Sequence, residues 1–194
     1  WLGSTLGMVA ADALAILARV PSITAVSPVV NSGAQVVYGD QNWSTSINGA
    51  GVDFLQIRRW GLSAGSNFND SAVRGSAKVC LLGQTVVDNL FGSENPIGQS
   101  IRIKKMPFTV IGVAPPDFFG VDPAIVPDLY LPLHTTLLLE GPEAARVYPD
   151  NNFYWIEMMG RLRPGVSMAQ AQAALAPRFH QWVAATATTD GERA

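Results

Sequence analysis

The chain has 194 residues, with 13 basic and 15 acidic side chains and a formal net charge of −2; 48% of it is hydrophobic and 14% charged. That length suits one domain or two small ones, able to bury a core without staples, and the balance of charge excludes the basic stripe that nucleic-acid binding requires. A single cysteine, Cys80, excludes an internal disulfide and leaves the compartment open.

The charged share is low against a usual value of about 25%. Either a partner covers part of the surface, or Ser, Thr, Asn and Gln supply its polarity. The chain starts at Trp1, and no leader segment is visible. Runs such as Leu137-Leu138-Leu139 fall far short of the roughly 18 apolar residues of a membrane span. The sequence therefore reads as a fragment of a longer protein, whose flanking segments would include membrane helices.

In chain order, Met8, Ala11, Leu14 and Leu17-Ala18 recur at helical spacing and predict a helix over 8–19, ended by Pro21. A strand is expected over 23–30. Two more, 34–38 and 43–47, flank Gly39-Asp40-Gln41-Asn42 as a hairpin. From 49 to 75 the pattern is irregular, with a short helix at 53–57 and no helical character in Ser66-Asn67-Phe68-Asn69-Asp70-Ser71.

A compact block follows: the apolar strand Val79–Leu82, a helix, a turn at Asn95-Pro96-Ile97-Gly98, and strands at 100–104 and 108–113 around Lys105-Met106-Pro107. Pro115-Pro116 marks a boundary, and 116–127 reads as loop. A strand is expected over 128–133, a helix over 134–146 interrupted by Gly141-Pro142, and a strand over 153–162. Ser167 and Gln170 form a capping box for the last helix. Its apolar stripe is Met168, Ala171, Leu175, Phe179 and Trp182, with Pro177 as a kink and a fraying tail over 184–194. Residues 49–115 read as a block inserted into a unit made of the two ends.

Candidate chemistry is sparse. Gly61-Leu62-Ser63-Ala64-Gly65 matches the G-x-S-x-G pattern of a serine-hydrolase elbow, with Asp128 and His134 or His180 downstream. The elbow needs a buried strand before the serine and a helix after it, and neither neighbour has that character. The alternative is a glycine-rich loop anchored by Phe68. His134 and His180 make no metal-binding pair, and Asp117, Asp122 and Asp128 are the only oxygen ligands that one loop could gather for Ca²⁺. Cys80 lies on an apolar strand and reads as core. Neither phosphate-binding glycine motif is present, so no nucleotide or other cofactor is expected. The adjacent Phe118 and Phe119, with Trp155, form the candidate contact surface, because neighbours in an extended loop cannot both point into one core.

Several stretches carry a family resemblance. They are Val20-Pro21 through Val29, Val36 through Gly39, Asn42 through Thr45, Trp60 through Gly65 and Lys78 through Val86. Leu90-Phe91-Gly92, Asn95 through Gln99 and Phe108 through Val113 continue the series. In this order they resemble the extracytoplasmic core domain of MacB-type ABC transporter permeases over residues 8–183. The stretch from Trp155 to Gln172 looks most like the duplicated orphan permeases of acidobacteria, which lack a fused ATPase.

The resemblance implies an α+β fold. A porter-like α/β subdomain, with a mixed sheet and packed helices, would comprise 1–48 and 116–194, and a smaller, mostly β Sabre-like subdomain would be inserted at 49–115. It implies a non-catalytic periplasmic domain of an inner-membrane, FtsX-like permease that relays ATP-driven movement of membrane helices to a substrate or partner. The implied partners are the flanking transmembrane helices, a separate or fused cytoplasmic ATPase, a second copy and a periplasmic adaptor. The alternatives are a periplasmic binding module for peptide, lipid or lipoprotein, motivated by the loop aromatics, and a serine hydrolase at Ser63.

Overall fold

A computed structural model describes residues 13, 16–116, 128–141 and 156–186, without the side chains of 178, 179 and 182–186. Its strands are β1 (Ile23–Tyr38), β2 (Gln41–Ala50), β3 (Ala64–Gly65), β4 (Val79–Leu82), β5 (Ser100–Ile103), β6 (Met106–Val113), β7 (Leu129–Pro132) and β8 (Glu157–Leu162). The helices are α1 (Phe54–Arg58), α2 (Asp70–Arg74), α3 (Gln84–Leu90), α4 (Leu133–Leu139) and α5 (Met168–Thr186). Residues 13 and 16–19 are also helical. This mixture of one sheet with packed helices is the α+β class expected.

β1 is the organising element. Strands expected separately at 23–30 and 34–38 are one continuous run of 16 residues. Asn31-Ser32-Gly33 breaks the apolar pattern, but β2 supplies those residues with ladder partners, from Val29↔Ala50 to Tyr38↔Gln41. The β1–β2 turn is tighter than expected: only Gly39-Asp40 lie outside the ladder, with Gly39 at φ 57. A positive φ at the first turn residue is a hairpin geometry that glycine accepts without strain.

The strands close a ring. β2 runs parallel to β7 from Ile47↔Leu129 to Ala50↔Pro132. β7 is antiparallel to β4, β4 parallel to β6, and β6 antiparallel to β5. β5 then returns to β1 through Val36↔Ile103 and Val37↔Arg102. These strands share one core: Val36, Ile47, Cys80, Leu82, Ile101, Ile103, Phe108, Val110, Leu129 and Leu131 are buried together. Val86, Val87 and Leu90 of α3 pack into the same cluster. Alternation of buried and exposed residues along Asn31–Val36 fits a strand with one face on that core and one in water.

A second core lies outside the ring, under α1, α2 and the loop between them. Val29, Ala50, Phe54, Leu55, Phe68, Leu81, Ala114 and Tyr130 meet there. Approach is close on both sides of β2. A Cβ on Gly49 would lie 2.4 Å from Thr136 Oγ1 and 2.7 Å from Val30 Cγ1, so only glycine fits at that position.

Other sequence expectations shift. α2 forms where no helix was expected, because Asn69 caps it: its side chain accepts from the Ala72 N–H at 2.9 Å. The β5–β6 turn is Lys104-Lys105, one residue earlier than the Lys105-Met106-Pro107 expected. α4 ends at Leu139 before Gly141, and residues 142–146 lie outside the described set. β8 begins at Glu157, with 153–155 also outside it. α5 continues through Pro177 to Thr186, past the start of the tail expected to fray. The capping box forms as read: Ser167 N–H donates to Gln170 Oε1 at 2.9 Å, and Gln170 N–H to Ser167 Oγ at 3.2 Å.

The subdomain boundary expected at 48/49 falls inside β2. β4, β5 and β6 of the expected insert share the ring with β1, β2 and β7 of the expected porter-like part.

Candidate functional surface

Two features of the surface stand out, at opposite ends of β1. At its start, segments from early and late in the chain come together. Ala13, Val20, Ile23 and Val26 form a buried cluster with Ile16, Leu17, Leu162 and Leu175 packed against it. Helical residues near the N-terminal side and α5 near the C-terminal side thus sit on the same β1–β8 seam. Backbone bonds tighten it: Ile23 N–H donates to the Val20 carbonyl at 3.0 Å, and Arg163 N–H to the Ser22 carbonyl at 2.9 Å. Among the described residues, no helix is long and apolar enough to cross a membrane.

The seam is tied to the ring by more than the β1 backbone. β8 pairs with the first half of β1 from Ile23↔Leu162 to Val29↔Glu157. Arg161 then reaches from β8 to α1, where its Nε–H donates to the Ile57 carbonyl at 2.6 Å and a terminal N–H donates to the same oxygen. A cation on the last carbonyls of a helix meets both an orphan acceptor and the negative end of the dipole. Ser27 Oγ accepts the Gly51 N–H at 3.0 Å, holding the end of β2 against β1.

Toward the far end of β1 the outer wall of the ring carries a cationic depression of about 390 Å³, lined by Gln35, Val37, Arg102, Lys104 and Lys105. Lys104 and Lys105 both have positive φ, 45 and 73. Lys104 Nζ pairs with Glu140 Oε1 at 3.1 Å. Nothing in the composition pointed here. The available signal was a two-residue polar pair between alternating runs, which the neighbouring Pro107 obscured.

Among the described residues, the candidates Ser63, Asp128 and His134 each bond to other groups. Phe118, Phe119 and Trp155, the candidate contact surface, lie outside the described residues, as do Asp117 and Asp122. Ser63 is exposed, and its N–H donates to the Val113 carbonyl at 2.8 Å. It precedes the two-residue β3, which pairs with β6, so G-x-S-x-G here is an edge strand and not a strand-to-helix elbow. Gly65 supplies the close contact: a Cβ there would lie 2.1 Å from the Ile111 carbonyl oxygen. Phe68 is buried, as an anchor should be.

Cys80 is fully buried, and burial pushes its thiol far above the usual range, which removes the thiolate that reactivity needs. Asp128 accepts from Thr45 Oγ1 at 3.3 Å, and its partial burial raises its carboxyl. His134 is half-buried on α4, hydrogen-bonded to the Val73 backbone, with Nε2 buried and unpartnered among the described residues. Burial lowers its pKa. His180 is exposed on α5. Among the described residues no cluster of His, Cys, Asp or Glu is arranged to hold a metal ion.

A family profile described as the MacB-like periplasmic core domain matches residues 3–178. The macrolide export ATP-binding/permease protein MacB of Syntrophobacter fumaroxidans is 45% identical over 124 residues, 62% of this chain and 17% of that protein. The pyoverdine export ATP-binding/permease protein PvdT of Pseudomonas aeruginosa is 38% identical over 109 residues, 56% of this chain and 16% of that protein. The chain therefore spans under a fifth of the length of these relatives. Among solved structures, the periplasmic region of MacB from Actinobacillus actinomycetemcomitans matches with a TM-score of 0.69 and 21% identity, covering 89% of this chain and 72% of that one. The extracellular domain of the noncanonic ABC-type transporter YknZ from Gram-positive bacteria matches at 0.63 and 16%, covering 84% and 76%. At these identities the structural likeness is one of fold.

Proposed function

The chain belongs to the MacB-like periplasmic core domain family and is an extracytoplasmic domain of a MacB-type ABC transporter permease; from that premise we propose that it is a non-enzymatic relay. It would carry movement of flanking membrane helices, driven by a cytoplasmic ATPase, to a substrate or a partner outside the membrane. A second copy and a periplasmic adaptor belong to the same proposal.

One observation carries this reading. The single 16-residue β1 has its first half in the seam, where Ala13, Ile16, Leu17 and Val20 pack with β8 and α5, and its second half in the wall of the ring. A strand hydrogen-bonded along both parts transmits displacement without a hinge. The Arg161 bridge from β8 to α1 adds a second strut in parallel. Nothing in this arrangement asks for a reacting group.

We also propose a two-part division of the chain, redrawn along the ring. The ring with α1–α4 forms the Sabre-like part, and the seam of β8, α5 and the N-terminal helical residues forms the porter-like part. β1 would belong to both, which is what a relay needs.

A flexible interruption tests the proposal. In the assembled permease, a short Gly/Ser stretch inserted between Pro21 and Ser22 would separate the N-terminal helical residues from β1. ATP hydrolysis should continue while export falls to the level of an ATPase-dead control. Export that survives the insertion would refute the relay.

A further inference from the structure

The cationic depression lies on the outer wall of the ring, away from the seam. The ladder places Val37 opposite Arg102 on one side and Asn42 on the other, and Gln35 opposite Ser44. Val36 and Ile103, one residue out of step, are buried in the ring core, so Gln35, Val37 and Arg102 share the outward face. The result is a concave surface of about 390 Å³ lined by Gln35, Val37, Arg102, Lys104 and Lys105; Asn42 and Ser44 lie beside it in the β1–β2 register, and the Gln35 amide donates to Asn42 Oδ1 at 3.0 Å. Among the described residues its only ion pair is Lys104–Glu140.

The turn that presents two of those cations is chemically unexpected. A two-residue hairpin turn with positive φ at both positions favours Asn-Gly, because other side chains strain the backbone there. Here both positions are lysine, at φ 45 and 73. Two lysines thus follow one another where the backbone favours neither, the first of them paired with Glu140.

We infer that this depression docks an acidic peptide segment of an extracytoplasmic partner protein. Arg102 offers a planar fork suited to a carboxylate, and the lysines offer point charges beside it. Gln35, Asn42 and Ser44 can hydrogen-bond an extended backbone laid across the wall. The choice of a protein over a lipid headgroup rests on the relay reading. Gln35 lies 12 residues beyond Ile23 along β1, up to about 40 Å from the seam at strand rise. If the seam leads to the membrane, the depression faces the aqueous side.

The test uses a fluorescein-labelled oligoglutamate peptide and the 194-residue chain at low ionic strength, read by anisotropy. Saturable binding is expected, weakened about tenfold by Arg102→Gln and by the double change Lys104→Asn, Lys105→Gly, and unchanged by Arg74→Gln on α2. The double variant installs the preferred turn sequence, so its loss of binding cannot come from misfolding of the hairpin. Absence of saturable binding, or equal weakening by Arg74→Gln, would overturn the inference. So would binding to phosphatidylglycerol vesicles in place of the peptide. Peptide binding by the free chain needs neither nucleotide nor membrane helices. Its failure therefore leaves the relay standing, and survival of export after the Pro21–Ser22 insertion leaves the docking result standing.

Discussion

His134 is the residue whose protonation bears most directly on stability. Among the described residues its Nε2 is buried without a partner, and burial holds its pKa below the ordinary value of 6.5. Below that value the unfolded chain takes up a proton that the folded chain refuses. Stability is therefore full above pH 6.5 and declines as pH falls toward the lowered folded value. Asp53 and Asp128 act in the opposite direction at lower pH, since burial raises both carboxyls and the folded state then binds the extra protons. Denaturant midpoints measured across this range should fall with acidification in the wild type and fall less in His134→Gln. Parallel pH profiles for the two proteins would show that His134 is not the group responsible. The sequence showed this histidine only as a weak catalytic candidate, because burial of one ring nitrogen depends on α2 packing beside α4, and α2 itself went unread.

At the scale of elements, much of what is local was legible, with turns shifted by a residue or two. The Ser167–Gln170 capping box needs only residues three apart, and it forms. The strand-helix-strand-strand block from Val79 to Val113 follows from apolar runs and turn residues close in sequence. The larger misses depended on distant partners, and one, α2, on a local cap that went unread. β1 appeared broken at Asn31-Ser32-Gly33, and only β2 makes it continuous. The parallel pairing Ile47↔Leu129 joins residues far apart in sequence and leaves no local trace. α2 starts from a single Asn69 side-chain bond in a run of small polar residues.

The β5–β6 turn gives the prediction at this scale. Lys104→Asn with Lys105→Gly relieves left-handed strain of about 1–2 kcal/mol per residue and removes an exposed ion pair worth less than about 1 kcal/mol. The double variant should be more stable than wild type by about 1–4 kcal/mol in urea unfolding. Destabilisation instead would mean that the lysines support the ring in a way their backbone angles do not reveal.

For the whole molecule, family and fold class were accessible from ordered sequence motifs, whereas the candidate surface was not. Phe118, Phe119 and Trp155 drew attention as aromatics in loops, and they lie outside the described residues. The cationic depression depends on register: Arg102 gains its neighbours only because β5 pairs with β1 at Val37. The seam likewise depends on two segments that sequence separates and the β1–β8 pair reunites.

The central claim is that seam and ring move as one body. It is tested by spin labels at Asp40→Cys, on the exposed β1–β2 turn, and Gln172→Cys, on the exposed face of α5. Cys80 is fully buried and should not compete for label. In the assembled permease in lipid nanodiscs, distances would be measured with and without ATP. The account predicts an unchanged Asp40–Gln172 distance within each domain, together with a nucleotide-dependent shift between the Asp40 labels of two copies. A distance within the domain that changes with nucleotide, while the copies stay fixed relative to each other, would place a hinge inside β1 and contradict it.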